Sequence, residues 1–462
     1  MKKRTYLIKT FGCQMNHSDS ERVSHILEES GFVPFKDQGM EYLGKRQVVV
    51  DSVENPAKNK DIDLIIFNTC SVRQKAEDKA IGVIQEMLKD YPMAKIGVTG
   101  CMVRQTGAKK EAKDPLLQHD FIDFVFRIED CVKLPKILEN IFAGFEASPC
   151  HYEDDSYFNI PPNVTNKFQV FVPIMQGCDK FCSYCIVPHT RGREISRPMD
   201  EVFAECQTLV KNGAKEITLI GQNVNSYRDK GEKCFAKLLR KIDELHSEGL
   251  SRLRFTAAHP QDFTDDVIDA LAEMKTSCPY VHLPVQHGSN SLLQDMERNY
   301  TVEHYEEIIR KIREKIPGVT ISTDIIVGFP GETEEQFQEL LDFGRRVKFD
   351  FSFTAIYSPR KNTAAGEMTD KFIPEKIKKE RFHKFDEVVK ESAWANRERA
   401  IGKTLEVLVE KSVPLDDGLF RHSGRSREFF EVYFTSGRNL MGQEVPVKIT
   451  DRQNYILNGE LV

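Results

Sequence analysis

Three cysteines, Cys178, Cys182 and Cys185, stand in a C-x3-C-x2-C pattern inside the stretch QGCDKFCSYCIVPHTRGREISRP, Gln176 to Pro198. An apolar run, Phe168 to Met175, leads straight into them. A strand therefore delivers three thiols into a loop, and Gly177 turns the backbone there without a side-chain clash. Thiols this close together in a reducing compartment serve a metal rather than a disulfide. Three cysteines on one short loop suit a cubane iron–sulfur cluster with three of its four irons held by protein. The fourth iron is then open to an outside ligand, the condition that a catalytic metal site requires. Two other readings share the spacing. Positions i, i+4 and i+7 also form a buried helix stripe, and with His189 the set becomes C-x3-C-x2-C-x3-H, a loose match to structural zinc.

The elements that position this loop belong to a long chain. At 462 residues it exceeds a single hydrophobic core, and about three domains is the prior. Hydrophobic residues at 40% and charged residues at 29% exclude long-range disorder. A net charge of −6 excludes a globally basic nucleic-acid binder, so any RNA contact must come from local patches. No apolar run approaches the roughly 18 residues of a membrane span. The N-terminal MKKRTYLIKTFG lacks the apolar core of a signal peptide. Eleven cysteines, an odd number, point to reduced thiols and metal ligands in a soluble, cytoplasmic protein.

In the first third, three apolar runs each end in a cysteine: YLI before FGC at Cys13, LIIF before NTC at Cys70, and IGV before TGC at Cys101. Helical-period segments follow the first two, so residues 1–142 read as an N-terminal parallel α/β sheet domain. Parallel strands end at one edge, where ligands bind, so the three cysteines converge there as a second three-thiol site. Each one alone reads as a small buried hydrophobe. Gly31–Lys60 reads as an extra hairpin or loop, and residues 143–167, rich in proline, acid and asparagine, as a linker.

Residues 168–396 hold six strand-then-helix units, with strands at 168–175, 217–220, 252–257, 280–284, 320–327 and 351–356. Functional residues of such units sit at strand carboxyl ends. Gly221, Gln222 and Asn223 follow the second strand, Gln286 the fourth, and Asp324 lies in the fifth; each is also readable as a strand-end cap or turn residue. GFPGE lacks the lysine of a phosphate loop and reads as a turn. Cys206 falls on an apolar helix face, Cys131, Cys150, Cys234 and Cys278 have no partners at ligand spacing, and all five read as structural. Past a long helix, residues 397–462 alternate apolar and polar between glycine turns, predicting a small closed antiparallel β-barrel. RHSGRSR places Arg421, Arg425 and Arg427 in a turn beside Phe429, Phe430, Tyr433 and Phe434, a mixture suited to phosphates and unpaired bases. Arg191, Arg193 and Arg197, just past the cysteine loop, are candidates to hold substrate phosphates.

The segments IKTFGCQMN, FNTCSVRQKAEDK, TGCMVRQ and QGCDKFCSYCIVPHTRGREISRP resemble the methylthiotransferases of the radical S-adenosylmethionine (SAM) superfamily, and the likeness runs over nearly the whole chain. The resemblance implies a partial (β/α)6 radical SAM barrel in the centre and an RNA-binding TRAM domain at the C-terminus. It implies two 4Fe–4S clusters, one on each cysteine triad, the N-terminal one handling sulfur. The open iron at Cys178, Cys182 and Cys185 would chelate SAM, and one electron would cleave SAM to a 5′-deoxyadenosyl radical. Tyr184 stands where the superfamily has an aromatic residue against the adenine, and Gly221, Gln222, Asn223, Gln286 and Asp324 become the candidates for SAM contacts. The implied reaction is methylthiolation of carbon-2 of isopentenyladenosine next to the anticodon of tRNA, with an electron donor such as flavodoxin or ferredoxin and a sulfur source. The FGCQMN and NTCSVR contexts favour that substrate over threonylcarbamoyladenosine or a ribosomal-protein aspartate. A non-catalytic zinc protein that binds RNA is the alternative from another class. Gly31–Lys60 is longer than the family pattern.

Overall fold

The computed structural model describes residues 3–35, 62–71, 74–109, 113–148 and 156–462. The expected hairpin at Gly31–Lys60 lies outside them from residue 36 onward, as does Cys150. Two compact units emerge, Met1–Thr165 with His189–Arg191, and Asn166–Pro188 with Gly192–Val462. Among the described residues no helix is long and apolar enough to cross a membrane.

In the first unit, β1 (Thr5–Thr10), β2 (Leu64–Thr69) and β3 (Lys95–Gly100) are parallel neighbours at the centre of a six-stranded sheet. Every residue of β2 is buried, which explains its unbroken apolar run: a central parallel strand is covered on both faces. Leu64 and Ile66 pack with Val23, Ile26 and Leu27 of the helix Gln14–Glu29 on one face. Ile65 and Phe67 pack with Ile84 of the helix Gln74–Asp90 on the other. Of the stretch read as a linker, Tyr157 and Ile160 are buried in the first of these cores.

The second unit begins with β4 (Gln169–Pro173), β5 (Glu216–Ile220) and β6 (Arg252–Phe255), paired parallel in chain order. It continues with β7 (Tyr280–His282), β8 (Thr320–Val327) and β9 (Phe351–Ile356), also parallel. A parallel bridge between Leu253 and Ser277 joins the two sets. Helices Met199–Lys211, Phe235–Asp243, Asp265–Glu273, Val302–Lys315 and Glu334–Val347 alternate with the strands. This is the partial (β/α)6 barrel that the family resemblance implies.

The C-terminal strands Thr404–Pro414, Phe420–Ser426, Glu431–Ser436, Glu444–Gln453 and Ile456–Leu461 close into a barrel. All pairings but one are antiparallel; Glu431–Ser436 and Ile456–Leu461 run parallel. Of the RHSGRSR segment, Arg421 to Ser426 is strand and only Arg427 lies in a turn. Its buried positions are His422, Gly424 and Ser426, small or polar residues that leave no apolar alternation to read. Arg252 and Arg254, buried at the end of the β5–β6 pair, fasten this barrel to the β/α strands. Arg252 reaches Glu444 at 2.6 Å and the Arg425 carbonyl at 2.8 Å, and Arg254 reaches the Ser426 carbonyl at 3.1 Å. Phe429 stacks on Tyr280 with ring centroids 4.3 Å apart.

Candidate functional site

Cys13, Cys70 and Cys101 each follow the carboxyl end of one of the three adjacent strands β1, β2 and β3. Their loops are pressed together. A Cβ on Gly12, at φ +118°, would fall 2.8 Å from the Cys70 Cβ, and the Cys101 N–H donates to the Thr69 carbonyl at 2.9 Å. Cys13 is the N-cap of the helix Gln14–Glu29. Asn16, fully buried, accepts from the Cys13 N–H at 3.4 Å and donates to Asn68 Oδ1 at 2.9 Å and the Thr69 carbonyl at 3.1 Å. It ties the Cys13 loop to the strand that carries Cys70. Cys13 is exposed, Cys70 buried and Cys101 half-buried, so the edge opens outward on one side. The expected convergence of the three strand ends is therefore the arrangement observed.

The second triad sits in a tight loop of the other unit. Gly177 has φ +79°, and a Cβ there would fall 2.0 Å from the Arg193 carbonyl oxygen, so no other residue fits. The Cys178 N–H donates to the Gly192 carbonyl at 3.2 Å and the Cys185 N–H to the Cys182 carbonyl at 2.9 Å. Burial pushes the Cys178 thiol up to about 11 and Cys185 up to about 12, so thiolates here need a cation beside them. Among the described residues no three His, Cys, Asp or Glu side chains converge on one metal-ion position. A cubane takes one thiol per iron, which spreads its ligands over a wider triangle than a single ion does. The donor set, three thiols short of bulk water on a pinned loop, suits such a group.

The strand-end candidates fall into two sets. Gln222 Oε1 accepts from the Gly177 N–H at 2.6 Å, bracing the turn, and Gly221 lies against the Met175 side chain. Asn223 donates to Asp262 Oδ2 at 3.1 Å, while its buried Oδ1 has no hydrogen-bond partner among the described residues. Gln286, at φ +75°, donates its N–H to the Asp324 carbonyl at 2.9 Å, which sets those two side by side. Asp324 Oδ1 is 3.6 Å from His282 Nε2. Tyr184 packs on the cluster of Leu292, Met296, Phe329, Tyr357 and Ala365.

Three residues escape sequence reasoning. Asp262 follows β6; burial alone would raise its pKa, but hydrogen bonds from Lys180, Lys233 and Asn223 prevail and hold it at about 2. His259 accepts at Nδ1 from the Gln261 N–H, so its proton sits on Nε2, which is buried with no partner among the described residues. Burial, with Arg298 and Lys180 nearby, pushes its pKa down to about 2 and keeps the ring neutral. Arg298 donates to Cys182 Sγ at 3.5 Å and to the Pro284 carbonyl at 2.8 Å. Asp262 and His259 were findable as polar residues beyond a strand end; Arg298, at the end of a helical turn, carries no local signal.

Residues 172–344 match the model of the radical SAM superfamily, and residues 45–122 match that described as uncharacterized protein family UPF0004. The tRNA-2-methylthio-N(6)-dimethylallyladenosine synthase of Carboxydothermus hydrogenoformans is 41% identical over 469 aligned positions, covering 100% of both chains. That of Clostridium beijerinckii is 40% identical, covering 99% of this chain and 96% of its own. This chain belongs to that synthase family. The radical SAM methyltransferase TsrM from Kitasatospora setae shares its fold, with TM-score 0.52 and 18% identity over 79% of this chain and 75% of that one. The cofactors of the radical SAM methylthiotransferases are SAM and 4Fe–4S clusters, and this synthase uses them.

In this synthase the arginines expected at phosphates divide sharply. Arg191 is buried, with Nη2 2.7 Å from Asp19 Oδ2. Arg197 is buried too, reaching the Pro173 carbonyl at 3.0 Å and Glu205 at 2.9 Å. Arg193 alone is exposed, paired with Asp179 at 2.6 Å. In the C-terminal barrel, Arg427 donates inward to the carbonyls of Ser251 at 3.2 Å and Ser277 at 3.0 Å. Arg425 lies 4.5 Å over the Phe429 ring, and Phe430 and Phe434 are core residues. Arg421 points outward from its strand. The motif reads as a cationic patch in sequence because the carbonyls that Arg427 meets, at Ser251 and Ser277, lie far along the chain and leave no local signal.

Proposed function

We propose that the chain adds a methylthio group to carbon-2 of N6-dimethylallyl (isopentenyl) adenosine next to the anticodon of tRNA. The observation that carries this reading is the full-length identity of about two in five with synthases of that name, with both cysteine triads at strand ends. Cys178, Cys182 and Cys185 hold the cluster that binds SAM, and Cys13, Cys70 and Cys101 hold the cluster that carries sulfur. Carbon-2 bears an unactivated C–H bond, so the bound clusters and SAM supply the radical, the sulfur and the methyl group that polar side chains cannot. Gln222 and Gly177 fix the loop, and the free Asn223 Oδ1 and His259 Nε2 present an acceptor and a donor to a polar cofactor. The target nucleotide leaves its stack to enter, at small cost in an anticodon loop. Reduced thiols and a tRNA substrate support a cytoplasmic reading, and the chemistry calls for a one-electron donor such as flavodoxin or ferredoxin and a sulfur source as partners. Nucleoside analysis of tRNA from cells lacking the chain tests this. The unmethylthiolated isopentenyladenosine should accumulate and return to normal on complementation; an unchanged nucleoside profile refutes the assignment.

RNA contact from the C-terminal barrel falls on Arg421 and not on Arg427. Arg421→Ala should leave Tm unchanged, weaken tRNA binding and reduce the slope of log K against log salt by about 1. Arg427→Ala should instead cost about 1–3 kcal/mol of stability, because it leaves inward carbonyls without a donor. Thermal denaturation and salt-dependent binding on both variants check the division; an unaltered salt slope in Arg421→Ala rejects the phosphate contact.

A further inference from the structure

Arg191 lies six residues past Cys185 in sequence, yet it belongs to the first unit, where its side chain is 3% exposed. Its counter-ion is Asp19, fully buried on the helix that Cys13 caps. The carboxylate is fixed from two directions, by Arg191 Nη2 at 2.7 Å and by the Tyr157 hydroxyl at 2.6 Å. Arg22 anchors that tyrosine in turn, with its guanidinium 5.6 Å over the ring. The other terminal nitrogen, Arg191 Nη1, is buried and has no hydrogen-bond partner among the described residues. Cys101 and Cys13 are within electrostatic reach of the same guanidinium.

A buried N–H donor left without an acceptor costs about 1–3 kcal/mol. A buried guanidinium nitrogen without a partner is a ready donor to an anion that arrives beside it. Three thiolates outweigh the positive charge of a cubane core, so the site is anionic when loaded and more so after one-electron reduction. Resting on the reading of Cys13, Cys70 and Cys101 as cluster ligands, we propose that Arg191 is a positioning residue for that site, held by Asp19 so that its buried guanidinium favours the reduced state of the cluster. The charge pair sets a sign for each partner. Removing Arg191 leaves a buried carboxylate beside the cluster and disfavours reduction; neutralising Asp19 leaves an uncompensated cation and favours it.

Redox titration of the reconstituted full-length protein, followed by electron paramagnetic resonance, reads this directly. The SAM-binding cluster is the signal that changes when SAM is added, and its midpoint serves as the internal control. Arg191→Met should make reduction of the other cluster about tenfold less favourable, a fall of about 59 mV for one electron. Arg191→Lys should recover most of that fall, and Asp19→Asn should shift the midpoint upward. A lowered Tm with an unmoved midpoint in Arg191→Met shows a brace and overturns the proposal, as does a shift of the same sign in Arg191→Met and Asp19→Asn. Should Arg191→Met not fold, the absence of an upward shift in Asp19→Asn overturns it equally. A single cluster in the unmutated protein, about four irons per chain instead of about eight, would sink the underlying ligand assignment instead.

Discussion

Replacing Cys178, Cys182 and Cys185 with alanine should remove about half of the iron and all SAM cleavage, because only that triad leaves an iron open to SAM. Replacing Cys13, Cys70 and Cys101 should remove the other half and end methylthio transfer while SAM cleavage persists. The two losses are separable because the triads are built on different scaffolds. One hangs on a turn pinned by Gly177 and Gln222, the other on three adjacent strand ends tied by Asn16 and the Thr69 carbonyl. Alanine at these positions deletes sulfur atoms at loops and leaves the sheet cores of Leu64, Ile66, Ile65 and Phe67 untouched. Circular dichroism should therefore stay constant across both variants. Iron and sulfide analysis, with 5′-deoxyadenosine as the product measured, checks the outcome. Methylthiolated RNA from the second triple variant would show that sulfur is not handled at Cys13, Cys70 and Cys101.

Anticodon stem-loops that carry isopentenyladenosine and threonylcarbamoyladenosine should react very differently with the reconstituted enzyme. Burying the five-carbon isopentenyl chain in an apolar pocket is worth roughly 2–4 kcal/mol at ~0.8 kcal/mol per carbon. That preference corresponds to about 30-fold up to about 1,000-fold in kcat/KM. The threonylcarbamoyl group brings a carboxylate that the same pocket would desolvate, a further penalty against it. Competition between the two stem-loops in one reaction, with both products resolved by mass, measures the ratio directly. Equal turnover, or preference for the threonylcarbamoyl form, moves the protein to the sister substrate. Reaction with neither RNA but with a ribosomal protein removes the tRNA reading.

The sequence alone determined what depends on neighbours along the chain. A strand that runs into C-x3-C-x2-C is local, and so are the alternation that makes a parallel sheet and the six strand–helix units at 168–396. That the strands before Cys13, Cys70 and Cys101 end at one edge was legible as well, because parallel strands must do so whatever their order. Tertiary structure alone decided where each charged side chain goes. Arg191, Arg197 and Arg427 look like exposed cations in a row of basic residues, but their partners, Asp19, Glu205 and the Ser277 carbonyl, lie far along the chain in two of the three cases. Arg421 and Arg427 differ by six positions in one motif, yet Arg421 faces outward from its strand while Arg427, in the turn just past Ser426, donates to the carbonyls of Ser251 and Ser277. The same holds for Arg298 and Cys182, 3.5 Å apart across more than a hundred residues. Apolar burial follows a pattern that repeats along the chain, whereas an ion pair or a hydrogen bond is fixed by two particular atoms that folding brings together, and no period in the sequence records which two.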